Sequence, residues 1–420
     1  METLQRTANR GSVSTASYDI DNSVKLESDN SEFFQKSYSS ASNRETWTYS
    51  TWVKRTELGS NSFLLDAYKN SNTFFILGFT DIDDLVFYDI IAGTDYGRRT
   101  TAVFRDTSAW YHIVFVSDTT NGTAGDRYRL YVNGVRVTDF DTDYGDPPSG
   151  YDGSVNDAIV HSIGYRTDAT TYFNGYLAET VLVDGQALNP TDFGEFDSDS
   201  GIWIPKQITD TSYTWGTNGF WLKYDNASSM GANSAGTGGF SVQNVNQNDQ
   251  ATDTPTNNFC TLNPLMANAG PSNYLPITEG GTKAVNAAAA YKIANSTIGV
   301  SAGKWYWEVK ATDVNGVTAI GVTMPHYWDA DYTLQGCIYY GQLGQRYNNA
   351  SASSFGNTHK DGDIISFALD MDATPPTMTV YKNNSSEGNL MSGLSINGAG
   401  GAFLPEKEDG YFPKIVGYNA

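Results

Sequence analysis

Trp110-Tyr111-His112-Ile113-Val114-Phe115-Val116 is followed by Arg129-Leu130-Tyr131-Val132-Asn133-Gly134-Val135-Arg136-Val137. Ile163-Gly164-Tyr165 and Phe173-Asn174-Gly175-Tyr176-Leu177-Ala178-Glu179 come next. Each run is short, rich in β-branched and aromatic residues, and bounded by Gly, Asn or Asp, as strands of a sandwich are. Asn133-Gly134 accepts positive φ at both central positions, which predicts a tight type I′ hairpin there. Asp184-Gly185, between Val181–Val183 and Gln186–Leu188, predicts a second, and Asn315-Gly316 a third.

The pattern spreads outward from this series. Glu45 to Lys54 alternates as a strand. Trp47 and Tyr49 share one face and Trp52 falls one step out of phase, which predicts a bulge or bend. Phe74–Phe79 and Leu85–Tyr88 are further short apolar runs. In the second half, Gly303 to Lys310 puts Trp305, Trp307 and Val309 on one face and Tyr306, Glu308 and Lys310 on the other. Asp361 to Asp370 points Ile365, Phe367 and Leu369 inward, with Met378–Asn384 as its hairpin mate. No long helical period appears; Ala287–Ala290 is the one helix-friendly run and is short.

Composition agrees. The chain has 420 residues, 13% aromatic, with 27 Tyr against 20 Phe and 41 Gly. Tyr suits half-buried strands and binding faces, and Gly with Asn, Asp and Ser supplies turns. All-β domains often run to about 200–250 residues, so two large ones fit the length. The divisions read from the sequence are an N-terminal arm at 1–18, a jelly roll at 19–205, a loop-rich joint at 206–285 and a second sandwich at 286–420. Within the joint, Phe220–Tyr224 is strand-like and is a candidate edge for the first sandwich.

The net charge of −21 repels phosphate backbones and argues against nucleic-acid binding. Cys260 and Cys337 show no metal spacing and read as free or buried thiols. The start of the chain lacks the apolar region of a secretory signal, and no run approaches a membrane span.

The first series resembles the concanavalin A-like jelly roll of laminin-G-type domains. The second half resembles the SPRY domain through Gly303–Lys310, Ile320-Gly321-Val322, Gly362–Asp370, Val380–Asn383 and Tyr411-Phe412-Pro413-Lys414-Ile415. That resemblance implies a β-sandwich that binds protein partners through its loops, without catalytic motifs. The SPRY sandwich continues beyond its Phe-Pro strand with another strand, so another segment or chain is expected to fill that edge. The two domains, with Gly201–Lys206, Gly219–Leu222 and Asp253–Pro264, together resemble tail-fibre or virion-surface proteins of marine bacteriophages. This implies a virion component made in the host cytoplasm, homo-oligomeric, bound to other virion proteins and attached to a host-surface glycan or protein. A purely structural role as a capsid decoration or tail-assembly protein is the main alternative.

A polysaccharide-degrading enzyme is a distant third. Glucanases of the first fold need a close carboxylate pair. The nearest run, Glu195-Phe196-Asp197-Ser198-Asp199, lacks the final Glu and reads as a solvated acidic loop. Asp139, Asp141 and Asp143 alternate but fail the EF-hand spacing and read as a solvated turn. Some laminin-G-like domains bind calcium, and that alternative stays open. His112, His161, His326 and His359 form no metal motif, and His112 reads as a packed residue. No cofactor or metal is expected. Sugar recognition uses aromatic faces with amides and charged groups. The candidates are Tyr96 and Arg98, with Arg99; Tyr172, with Tyr165 and Arg166; and Tyr327, Trp328 and Asp329, with His326.

Overall fold

The protein is described by a computed structural model, which covers residues 18–236, 238–265, 274–286, 290–314, 317–323, 337–348, 351–392, 395–396, 403–404 and 411–418. It is all-β; among the described residues the only helical pieces are three 3₁₀ turns. The chain divides into two compact units, Met1–Phe259 and Cys260–Ala420.

The first unit stacks two eight-stranded antiparallel sheets. The first sheet runs Val135–Arg136, Tyr128–Val132, Tyr111–Asp118, Thr46–Arg55, Gly175–Asp184, Ser23–Leu26, Gln250–Ala251, with Phe220–Leu222 also paired to Gly175–Asp184. The second runs Phe140–Asp143, Thr94–Val103, Asp84–Ile91, Thr73–Phe79, Ser62–Asn70, Val160–Ile163, Phe33–Ser37, Ser241–Gln243. The core between them takes alternate residues of both, among them Trp47, Tyr49, Val53, Phe75, Leu77, Phe87, Phe115 and Leu177. Asn133 (φ 48°) and Gly134 (φ 77°) make the expected hairpin turn.

The first sheet is buried on its other face as well. Trp52, Trp110, Tyr176 and Ala178 pack with Ile20 and Trp203. Val114, Val116, Val181 and Val183 pack with Phe193, Ile208, Trp215 and Trp221. This outer layer accounts for the unbroken burial of Gly175–Asp184. It also corrects the reading of Trp52. That side chain falls out of phase with Trp47 because it faces the outer layer, and the bulge lies in the partner strand, between Ala178 and Val181.

Residues 206–259 therefore belong to the first unit. Phe220–Leu222, Ser241–Gln243 and Gln250–Ala251 each add to one of its sheets. Asp184-Gly185 is not the turn of a hairpin. The Asp184 carboxylate accepts from the backbone N–H groups of Asn43, Thr217 and Asn218 and from Asn156 Nδ2. The chain leaves the sheet there to form the outer layer. The segment from Asp253 is fastened from below. Lys54, fully buried, reaches Asp253 Oδ2 at 2.7 Å, Asn258 Oδ1 at 2.8 Å and the Phe259 carbonyl at 2.6 Å. Trp110 Nε1 donates to Asp253 Oδ1 at 3.0 Å.

The second unit is a sandwich of six strands on four. The larger sheet runs Lys292–Asn295, Phe412–Tyr418, Val317–Thr323, Cys337–Gly341, Gln345–Asn348, Ser351–Ser354; the smaller runs Lys304–Lys310, Ile364–Asp370, Thr377–Lys382, Ser385–Asn389. Trp305, Trp307 and Val309 pack on the core with Ile365, Phe367 and Leu369, as the alternation predicts. The Phe412–Tyr418 strand is paired on both sides, by Val317–Thr323 and by Lys292–Asn295 of the same chain. Asn315-Gly316 lies outside the described residues, as do residues 287–289.

Candidate functional site

Gly164 decides where the candidate site forms. The Val160–Ile163 strand lies between Phe33–Ser37 and Ser62–Asn70. At Gly164 (φ 79°) the chain turns out of the sheet, where a Cβ would come 2.5 Å from Leu26. The next residues, 165–172, form a small hairpin of Tyr165–Arg166 and Thr171–Tyr172, closed at its base by Phe173 N–H donating to the Gly164 carbonyl. Phe173 then returns to the core.

Tyr165 and Tyr172 are cross-strand partners with ring centroids 4.9 Å apart. Phe33 stacks on Tyr165 at 4.3 Å and lies 5.9 Å from Tyr172. Phe33 reaches them by strand alternation, since its neighbour Phe34 points into the core. All three rings are half-buried, so the cluster keeps exposed ring surface at the rim of the sheet.

The hairpin is held to the outer face of the second sheet. Arg166 lies over the rings of Phe63 and Phe74, at 5.1 and 5.4 Å, and pairs with both carboxylate oxygens of Asp168, at 2.6 and 3.0 Å. Thr167 donates to Asp66 Oδ2 through its N–H (3.2 Å) and its hydroxyl (2.7 Å). Phe63 and Phe74 continue into an apolar patch with Ile76 and Val86, flanked by Tyr68, Tyr88 and Ile90.

The other candidates lie elsewhere. Tyr96 and Arg98 are in the Thr94–Val103 strand, not in a loop. Tyr96 packs on the core and meets Tyr151 edge-on at 5.0 Å. Arg98 is bound by Asp143 (3.1 Å) and Asp146 (2.7 Å) and stacks on Phe140, so its charge is already matched. Arg99 pairs with Asp84 at 2.8 Å. The structure does not bring Tyr96 or Arg98 to Tyr172. Tyr327, Trp328 and Asp329, with His326, lie outside the described residues. Phe33, Asp66 and Thr167 escaped the sequence reading. The one local signal was Asp66, a lone acid inside the apolar run Phe63-Leu64-Leu65-Asp66-Ala67.

Two catalytic readings can be judged on geometry. His112 Nε2 lies 2.8 Å from Ser50 Oγ, which resembles a nucleophile and its base. Trp203 Nε1–H, however, donates to His112 Nδ1 at 3.0 Å. Nδ1 must then be bare, and the neutral ring carries its proton on Nε2, donating to Ser50. A ring in that state takes no proton from the serine. Burial also holds the imidazole down at about 3, so it stays neutral at physiological pH. Glu195 is not in a loop but in a short exposed strand, Gly194–Phe196, paired with Trp203–Pro205. In the turn that follows, Asp197 accepts from the Ser200 N–H and hydroxyl, and these bonds lower its pKa. Asp141 and Asp143 lie not in a turn but in the Phe140–Asp143 edge strand, and two of the three carboxylates in the Asp139–Asp143 run are matched. Asp139 accepts from the Thr101 hydroxyl and Asp143 pairs with Arg98. The described thiol, Cys260, is free and exposed.

Residues 25–192 match the Laminin_G_3 family, described as the concanavalin A-like lectin/glucanases superfamily. The first sandwich is concanavalin A-like. That match contains both sheets' central strands and the whole 165–172 hairpin. Among solved structures, a human SPRY domain is similar at 21% identity, covering 32% of this chain and 83% of that one, with a TM-score of 0.26. Domain 4 of an extracellular arabinanase from Geobacillus stearothermophilus, solved with arabinotriose, is similar at 18% identity, covering 40% and 73%, with a TM-score of 0.29. Domains LG4-5 of the mouse laminin alpha1 chain are similar at 10% identity, covering 96% and 83%, with a TM-score of 0.32. No curated protein matches the chain.

Proposed function

We propose that this chain is a non-catalytic binding protein of a phage virion, part of a tail fibre or comparable appendage, whose first sandwich takes an uncharged host-surface glycan. The observation that carries the reading is the Phe33–Tyr165–Tyr172 ring cluster, partly buried and fixed at the rim of a concanavalin A-like sandwich. Aromatic faces offer apolar area to the C–H faces of sugar rings, while phenol hydroxyls reach the sugar hydroxyls. The virion placement is supported by the sequence resemblance of the paired domains and joint.

The charge of the ligand follows from the neighbours. Arg166 is matched by Asp168, and Lys36, in the same strand as Phe33, donates to the Gly238 carbonyl. With both cations engaged and a net charge of −21, the site suits a neutral sugar over a uronate or sulfate. The full chain on an array of host-surface glycans is expected to retain neutral oligosaccharides, with retention unchanged as salt rises from about 0.1 to 1 M. Failure to bind any host glycan would favour the purely structural virion role. Product release from a bound polysaccharide would overturn the non-catalytic reading.

A further inference from the structure

We propose that Asp66 is a positioning residue: it latches the 165–172 hairpin over the second sheet, and its protonation sets how firmly Tyr165 and Tyr172 are presented. The inference rests on the binding reading above for its consequence, but the latch itself is a property of the free protein.

Asp66 has no measurable exposure. Its Oδ2 takes both Thr167 donors, while Oδ1 is buried and has no hydrogen-bond partner. The groups around it are few. The Thr73–Phe79 strand places Ile76 opposite it and the Val160–Ile163 strand places Ser162 there. The hairpin brings Thr167, Asp168 and Arg166. Arg166 is spent on Asp168, so no cation is dedicated to Asp66. His161, next to Ser162, is turned to Asn156 N–H and the Ile159 carbonyl. Glu32, next to Phe33, is tied to Glu27 N–H and Asn30.

A buried carboxylate with one bare oxygen and no cation favours its neutral form. Burial is the largest cause; the Thr167 bonds oppose it, Asp168 adds to it and Arg166 opposes it. The result is a carboxyl raised to about 7. With the hairpin lifted, water reaches Asp66 and its pKa returns toward the ordinary value near 3.9. The closed hairpin therefore holds a proton that the open one releases between about pH 4 and 7. Closure is firmest at the acid end of that window. It weakens as pH rises through it and levels off above about 7, where both forms are ionised.

Asp66→Asn keeps an oxygen for Thr167 but cannot ionise. Thr167→Val removes the hydroxyl bond and leaves the titration. The test is hydrogen-exchange protection of the hairpin amides, without ligand, together with affinity for the neutral oligosaccharide chosen on the array, from pH 5 to 8. Wild-type protection is expected to fall by about tenfold or more over that range, and affinity with it. Asp66→Asn should be flat in both readouts. Thr167→Val should be less protected throughout with the same pH slope. A flat wild-type profile, or an Asp66→Asn profile that still follows the wild type, overturns the latch; the latter would move the titration to a group such as Glu32. Protection that responds to pH in a chain that binds no glycan would leave the latch standing and sink the binding reading instead.

Discussion

Lys54→Met is expected to destabilise the first unit by about 3–5 kcal/mol, because it leaves the Asp253 carboxylate buried without its cation. The pair is only 2.7 Å apart, and Asp253 is itself nearly buried. The lysine also holds Asn258 and the Phe259 carbonyl, so its loss removes three of the contacts that tie the 253–259 segment to the sheet. Pairing Lys54→Met with Asp253→Leu should recover part of the loss, since an apolar pair carries no stranded charge. Recovery will be incomplete, because Trp110 Nε1 and Phe259 N–H then lose their acceptor. Urea unfolding of the full chain, followed through the first-unit transition, measures all three variants and their coupling. If Lys54→Met shifts stability by less than about 1 kcal/mol, this segment is not anchored as described.

Trp203→Ala is expected to cost about 3–5 kcal/mol, the range for removing a buried aromatic. Trp203 lies so close to the Asn133-Gly134 turn that a Cβ on Gly134 would come 2.3 Å from its ring, and one on Gly194 would come 2.6 Å away. It also stacks on His112, at 6.0 Å between centroids, and donates to its Nδ1. Trp203→Phe keeps most of the packing and strips the donor, which should cost about 1–3 kcal/mol. The two variants separate the packing of the outer layer from the hydrogen bond that fixes the His112 tautomer. An alanine variant as stable as wild type would mean that residues around 203 hang on the sheet without supporting it.

Both predictions concern the part of the fold that was hardest to read. Tyr111–Asp118 announces itself as a continuous apolar, β-branched run, Lys304–Lys310 by alternation, and Asn133-Gly134 by its turn chemistry, because these are local signals. The outer layer does not. Phe193, Trp203, Ile208, Trp215 and Trp221 are scattered through polar, turn-rich sequence, where spacing gives no period. The unbroken apolar runs Ile113–Val116 and Val181–Val183 are consistent with two buried faces but do not say what covers the second, so Trp52 reads as a defect of phase. Asp184-Gly185 looks like a hairpin turn for the same reason: its carboxylate partners at Asn43, Asn156, Thr217 and Asn218 are distant in sequence.

The site was legible only in part. Tyr165, Arg166 and Tyr172 were readable as an aromatic and charged group near a turn. Phe33 joins them through strand pairing across the second sheet, a register that composition does not reveal. Tyr96 and Arg98 have the right chemistry, but Tyr151 and the core occupy the first and two carboxylates occupy the second.

The most direct test of the binding account is the affinity of the full chain for its best neutral oligosaccharide, measured by calorimetric titration against Tyr172→Ala. The ring cluster predicts a loss of about tenfold or more, as for an interface anchor, with the unfolding midpoint little changed because Tyr172 is only partly buried and lies outside the core. An unchanged affinity would contradict the account and place recognition elsewhere on the protein.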